Sequence, residues 1–253
     1  MPRQFRRPSS GRASRRAGLL CAVLLGLAAP VGAQTLADQL AACKSEGAEL
    51  AARIGACTRA VEDAQDNDEL RVEALLQRGV LYELSGDDEA AIADYSEIIK
   101  LDPTSAIAHF NRGNVRDRLG EQDLAIKDYS EAIRLDPSDP DMFNNRGQVY
   151  DSRGEFDLAI ADYSEAIRLD AASSRPYYNR GLSYFSKGEF PSAMADFDQA
   201  LRLQPNDVDA LVARAATHEE LGNKAAARTD YGKALGIAPD HAEAKEALER
   251  LDK

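Results

Sequence analysis

Apolar residues recur along this chain at helical spacing, broken by short polar turns, and the whole pattern repeats every 34 residues. In residues 106–139, AIAHFNRGNVRDRLGEQDLAIKDYSEAIRLDPSD, it predicts two helices on either side of Gly120. Three landmark series keep the interval. They are Gly79, Gly113, Gly147 and Gly181; then Ala91, Ala125, Ala159, Ala193 and Ala227; then Tyr95, Tyr129, Tyr163, Phe197 and Tyr231. A unit this short cannot bury its own apolar face, so successive units must cover one another in a solenoid.

The units run 72–105, 106–139, 140–173, 174–207 and 208–241, within an array that begins at Asp68. Gly86, Gly120, Gly154, Gly188 and Gly222 are expected to end each first helix in the left-handed conformation. Asp87, Glu121, Glu155 and Glu189 then begin the second helix, where negative charge suits the dipole. Pro103, Pro137, Pro205 and Pro239 close four units, and Ala171 stands in their place in the third. The glycine and alanine series predict close helix contact at Gly113 and Ala125, with each aromatic filling space against the next unit. Arg78, Arg112, Arg146, Arg180 and Arg214 are each followed 16 residues later by Asp94, Asp128, Asp162, Asp196 and Asp230. Five identical copies argue for ion pairs that set register, worth about 0 to 1 kcal/mol each if exposed. Residues 34–67 read as a diverged helical hairpin in front, and 242–253 as a polar capping helix with Ala244, Ala247, Leu248 and Leu251 on one stripe.

The pattern resembles the tetratricopeptide repeat over residues 72–241, carried by Leu75, Gly79, Tyr82, Ala91, Tyr95 and Pro103, and again by Phe143, Gly147, Tyr150, Ala159 and Tyr163. Arg116 and His218 depart from the first-helix tyrosine, and Ala215 from the glycine. The resemblance implies an all-α fold, a right-handed α-solenoid of tandem helix-turn-helix units. It also implies a concave groove lined by first helices and a role as a scaffold for another protein or peptide. The basic clamp with which some relatives hold a C-terminal carboxylate is not reproduced.

Charge changes the picture at the N-terminus. Six of the 31 basic residues and none of the 43 acidic ones lie in the first 33 positions, leaving 25 basic residues against 43 acidic ones and a net charge of −18 for the rest. The basic leader Arg3–Arg16, the apolar run Ala17–Ala29 and Val31-Gly32-Ala33 make residues 1–33 a signal peptide, with cleavage expected after Ala33. A retained anchor is the alternative, but the run is shorter than the roughly 18 residues a span requires. The expected location is periplasmic or secreted, with no membrane span after cleavage. So acidic a body repels phosphate backbones, and no nucleic-acid partner is expected.

Cleavage removes Cys21 and leaves Cys43 and Cys57 in an oxidising compartment. On facing helices they are expected to form a disulfide, two buried thiols being the alternative. No catalytic, metal or cofactor motif is present: His109, His218 and His241 are scattered, and His109 takes the place of Phe143 and Tyr177, as a packed histidine would. The chain is therefore read as no enzyme and as needing no cofactor.

Binding has more support. Asn111, Asn145 and Asn179 recur two residues before the glycine. The resemblance implies that such asparagines hydrogen-bond the backbone of an extended peptide, a task suited to a carboxamide's donor and acceptor. Bonding to their own helix or to water, after simple duplication, is the alternative. Beside them the sequence varies: Leu76, Val80 and Glu83; Phe110, Asn114 and Asp117; Asn144, Gln148 and Asp151; Tyr178, Leu182 and Phe185. That stripe predicts a groove acidic in the middle and aromatic at the fourth unit, matching a basic residue near Asp117 and Asp151 and an apolar one at Tyr178 and Phe185. Packing of those two rings on the adjacent unit is the alternative. A structural or enzyme-activating subunit of an envelope complex, using its convex face or ends, is the second functional reading.

Overall fold

The computed structural model describes residues 35–251, so the expected leader, its cleavage site after Ala33 and Cys21 lie outside the described residues. Thirteen helices and no strands make up the described part. A leading hairpin, α1 (Leu36–Cys43) and α2 (Leu50–Asp63), packs on α3 (Asp68–Ser85). Five hairpins follow in order. They are α3 with α4 (Asp88–Leu101), α5 (Ala106–Arg118) with α6 (Gln122–Leu135), α7 (Pro140–Ser152) with α8 (Phe156–Leu169), α9 (Arg175–Ser186) with α10 (Phe190–Leu203), and α11 (Val208–Glu220) with α12 (Lys224–Ile237). The last helix, α13 (Ala242–Leu251), covers α12 with Ala244, Ala247 and Leu251 buried. Each helix packs on the next in the chain, the all-α solenoid the 34-residue period predicts.

Local chemistry explains the turns. The five glycines between paired helices hold φ between +74° and +77°, which only glycine adopts without strain. Asp87 caps α4 by accepting from the Ala90 amide, whereas Glu121, Glu155 and Glu189 stand at the cap position without a side-chain cap bond. Between units, Asp102 Oδ1 accepts from the backbone and hydroxyl of Thr104, and Asp136 Oδ1 does the same with Ser138. Asp170 accepts from the Ala172 amide at 2.9 Å, so the aspartate makes this turn in the third unit without the proline.

Packing sharpens one expectation. The glycines of the 34-residue series also meet the aromatic ring of their own unit: a Cβ on Gly147 would fall 2.8 Å from Tyr163 Cε1, and one on Gly113 2.9 Å from Tyr129 Cε1. The rings also reach forward, Tyr95 clustering with Ala108 and Val115, and Tyr129 with Val149.

The arginine series is a three-way clamp. Arg146 Nε and Nη2 donate to both oxygens of Asp162 at 2.8 and 2.7 Å, and its Nη1 reaches back to Ser130 Oγ at 3.0 Å. Arg112 and Arg180 repeat this with Asp128 and Ser96, and with Asp196 and Ser164. Arg78 uses Thr58 of α2, and Arg214 uses Asp198. Each clamp therefore ties a hairpin internally and to the one before it. The five aspartates are 3 to 6% exposed, so the condition for surface-strength pairs is not met. Arg116, at the place of a tyrosine, gives Asp128 a second cation at 2.8 Å, and buried His109 lies 3.5 Å from the same carboxylate.

Candidate functional site

The first helices of neighbouring units touch, α5 with α7, α7 with α9 and α9 with α11, which puts them on the inside of the array's curve. The candidate residues all lie on these helices, but they are not equally open. Asn111 hydrogen-bonds the Tyr95 hydroxyl of the preceding unit. Asn145 Nδ2 donates to Asn114 Oδ1 at 2.9 Å, and the Tyr129 hydroxyl donates to the same oxygen at 2.8 Å. Asn144 Nδ2 donates to Asn145 Oδ1 at 3.3 Å, and Asn179 Nδ2 to Asn144 Oδ1 at 3.1 Å. A row of carboxamides thus runs from α5 through α7 to α9, bonding unit to unit at Asn145–Asn114 and Asn179–Asn144 and side by side on α7. Asn144 and Asn179 are buried, 1 and 9% exposed, and Asn111, Asn114 and Asn145 are half-buried. Of the expected three-rung ladder, Asn179 is therefore part of the wall, while Asn111 and Asn145 keep partial access. Without a neighbour-unit view, sequence could not show that an asparagine in one unit answers the tyrosine or asparagine of another.

Charge lies alongside. Asp151 accepts from the Ser183 hydroxyl at 2.6 Å, a contact the sequence reading missed because Ser183 lies one unit on. Asp117 is half-buried, and its carboxylate has no hydrogen-bond or ion-pair partner among the described residues. Burial pushes its carboxyl above the ordinary aspartate range. Gln148 is exposed. Burial also pushes the hydroxyls of Tyr129 and Tyr163 up, helped by the nearby Asp117 and Asp151 respectively, so both stay neutral.

At the fourth unit the rings pack on one another. Tyr178 lies 6.1 Å from Phe197 and Phe185 lies 5.4 Å from Phe190, both partners belonging to α10. Yet with Leu182 they also line a hollow shared with α11. Among the described residues no group of three or more His, Cys, Asp or Glu is placed to hold a metal, and no helix is long and apolar enough to cross a membrane. At the other end, Cys43 and Cys57 are fully buried with Cα atoms 4.8 Å apart, within disulfide reach.

The hairpin geometry, the glycine–ring contacts and the 34-residue step agree with the matching family profiles, described as TPR repeat over 79–120, 116–151 and 150–188, and as Tetratricopeptide repeat over 174–207 and 208–241. The chain belongs to the tetratricopeptide-repeat family. TPR arrays are protein-interaction scaffolds. Solved TPR structures share the architecture. YrrB, a TPR protein with an unusual peptide-binding site, is 23% identical over 78% of this chain and 99% of its own, with a TM-score of 0.66. The C-terminal part of a TPR repeat-containing protein from Cytophaga hutchinsonii is 22% identical over 80% of each chain, with a TM-score of 0.66. MamA from Desulfovibrio magneticus RS-1 is 15% identical over 68% of this chain and 97% of its own, with a TM-score of 0.63. At these identities the likeness is one of fold. No curated protein sequence matches the chain.

Proposed function

We propose that this TPR array is an exported, non-catalytic adaptor that binds an extended polypeptide along its first-helix face. The observation that carries the reading is Asp117, a partly buried carboxylate on that face with no partner among the described residues. A fold gains nothing from such a group, whereas a basic residue of a ligand would supply the missing partner. Asn111, Asn114, Asn145 and Gln148 stand beside it with the donors and acceptors an extended backbone requires. Asn144 and Asn179 hold that row in place from beneath, and Asp151 adds charge on the same side.

Export rests on the leader sequence, and it predicts that Cys43 and Cys57 are oxidised in the working protein. A second reading, an envelope assembly formed through the outer surface, is favoured by Leu124 and Leu158. These leucines occupy equivalent positions on α6 and α8 and are 39 and 48% exposed.

The test is capture of native partners from an envelope extract by the wild-type protein and by Asn111→Ala/Asn145→Ala/Asp117→Asn, with melting confirmed for both. The groove reading expects partners to be lost. Undiminished capture of every partner by the folded variant would overturn it and leave the outer surface as the binding face.

A further inference from the structure

The fifth unit breaks the pattern in a way that opens space. Where the second to fourth units carry Asn111, Asn145 and Asn179, it carries Ala213; where they carry Asn114, Gln148 and Leu182, it carries Ala216. The two alanines leave a hollow of about 200 Å³ between α9 and α11, whose apolar wall is Tyr178, Leu182, Phe185 and Val212. A cavity of about 150 Å³ lined by apolar side chains accommodates a benzene ring. This one has room for a single phenylalanine or leucine side chain.

The rim has the opposite character. Asp209, from the start of α11, and Glu243, from the first turn of α13, both border the hollow. His241 joins them there, its Nδ1 accepting from the Ala244 amide at 3.3 Å and so fixing how α13 begins. Asp209 and Glu243 are exposed and have no ion pair among the described residues. Burial, then Asp209, Asp207 and Glu243 in that order, push the Tyr178 hydroxyl up to about 12.

We propose that this hollow receives one phenylalanine or leucine side chain of an extended polypeptide in which the adjacent residue is lysine or arginine. The apolar wall takes the side chain out of water, and the unpaired carboxylates at the mouth select the cation beside it. A polypeptide with an acidic neighbour is rejected, since Asp209 and Glu243 would then face a like charge. The inference rests on the polypeptide-binding reading and gives it a residue pair: apolar, then basic.

The probe is the capped tetrapeptide acetyl-Ala-Phe-Lys-Ala-amide, titrated into the full exported chain and followed by NMR chemical shifts. Its Phe-Glu and Ala-Lys counterparts serve as comparisons. Binding tighter than either counterpart by about tenfold or more is expected, with shifts centred on Leu182, Val212 and Ala213. Ala216→Leu, which restores the residue of the fourth unit, should weaken binding by about tenfold or more while the melting temperature holds. Ala213→Asn provides the same loss if Ala216→Leu fails to fold. Equal affinity for the Phe-Lys and Phe-Glu peptides, no binding of any of them, or full binding in the filled variants overturns the proposal. The filled variants also separate the two readings. If they capture native partners as wild type does while Asn111→Ala/Asn145→Ala/Asp117→Asn does not, the hollow is dispensable and the groove stands.

Discussion

Replacing Asp162 by alanine tests whether the repeated arginine clamp holds the array together. The third unit is the clean case, since Asp128 has a second arginine and Asp230 has Lys233 nearby. Asp162→Ala removes both strong bonds to Arg146, at 2.8 and 2.7 Å, and leaves a guanidinium whose side chain is 18% exposed. Stranding one member of a fully buried pair costs about 3 to 5 kcal/mol. Arg146 keeps Ser130 at 3.0 Å and lies over Phe143 and Tyr150 at 6.0 and 5.8 Å, so the expected loss is near the lower end, about 3 kcal/mol. Helix α8 supplies its own control in Glu165, which pairs with Arg168 at the surface. Glu165→Ala, which removes only a solvent-screened surface pair, should leave the unfolding midpoint essentially unchanged. Urea unfolding followed by far-UV circular dichroism measures both. Each kcal/mol moves the midpoint by about 0.3 to 1 M urea. If the array unfolds in steps, the loss falls on the transition that contains α7 and α8. Arg146→Met combined with Asp162→Leu should recover to within about 1 kcal/mol of wild type, because no charge is left stranded. Were Asp162→Ala to unfold together with Glu165→Ala, the clamp would be no more than a surface pair and the reasoning would fail.

Gly147→Val should destabilise by about 1 to 3 kcal/mol, because its Cβ would lie 2.8 Å from the Tyr163 ring, and thermal melting measures it. Gly147→Ala should cost less, since alanine recovers up to about 1 kcal/mol of helix propensity and the fifth unit already carries Ala215 there. Asp117→Asn should raise the melting temperature at pH 7. A carboxyl whose folded pKa is raised weakens the fold above that pKa and stops doing so below its unfolded value of about 4, so the difference between the two proteins should vanish near pH 3. An equal gap at both pH values would show that Asp117 is not penalised by burial. Reducing the exported protein should lower stability by roughly 3 kcal/mol, localised in hydrogen exchange to α1 and α2, if Cys43 and Cys57 are bridged. Two titratable thiols before reduction would refute the bridge.

The fold was legible because its determinants repeat. A glycine, an alanine and an aromatic at one interval announce hairpins that cover one another, and the turn glycines and aspartates mark where each helix stops. What the interval could not show was partnership across it. The serine of Asp-Tyr-Ser recurs at Ser96, Ser130 and Ser164, and only the fold brings Arg112, Arg146 and Arg180 of the following unit to it. The same blindness hid the carboxamide row, in which Asn145 answers Asn114 and Asn179 answers Asn144. The glycines were only half read for a related reason. Gly147 and Ala159 stand at like distances from the turn, and the ring of Tyr163 also occupies the space the glycine leaves. The hollow beside Tyr178 escaped because it is built from departures. Ala213 and Ala216 carry no signal of their own in the sequence, and only their position opposite Leu182 and Phe185 gives their smallness a use.

The backward reach of each arginine gives the array a direction in time. Arg112 closes on a serine of the hairpin before it, and Arg146 and Arg180 do the same. As the chain is made from its N-terminus, the acceptor of each clamp arginine is synthesised before the arginine itself. The first such acceptor is Thr58 on α2, so the diverged leading hairpin is the template on which the regular units are laid down. Removing whole units from the far end leaves the remaining clamp arginines with their acceptors, whereas loss of the leading hairpin would take the acceptor from Arg78. Growth by adding units at the C-terminal side is thus the change this architecture tolerates best.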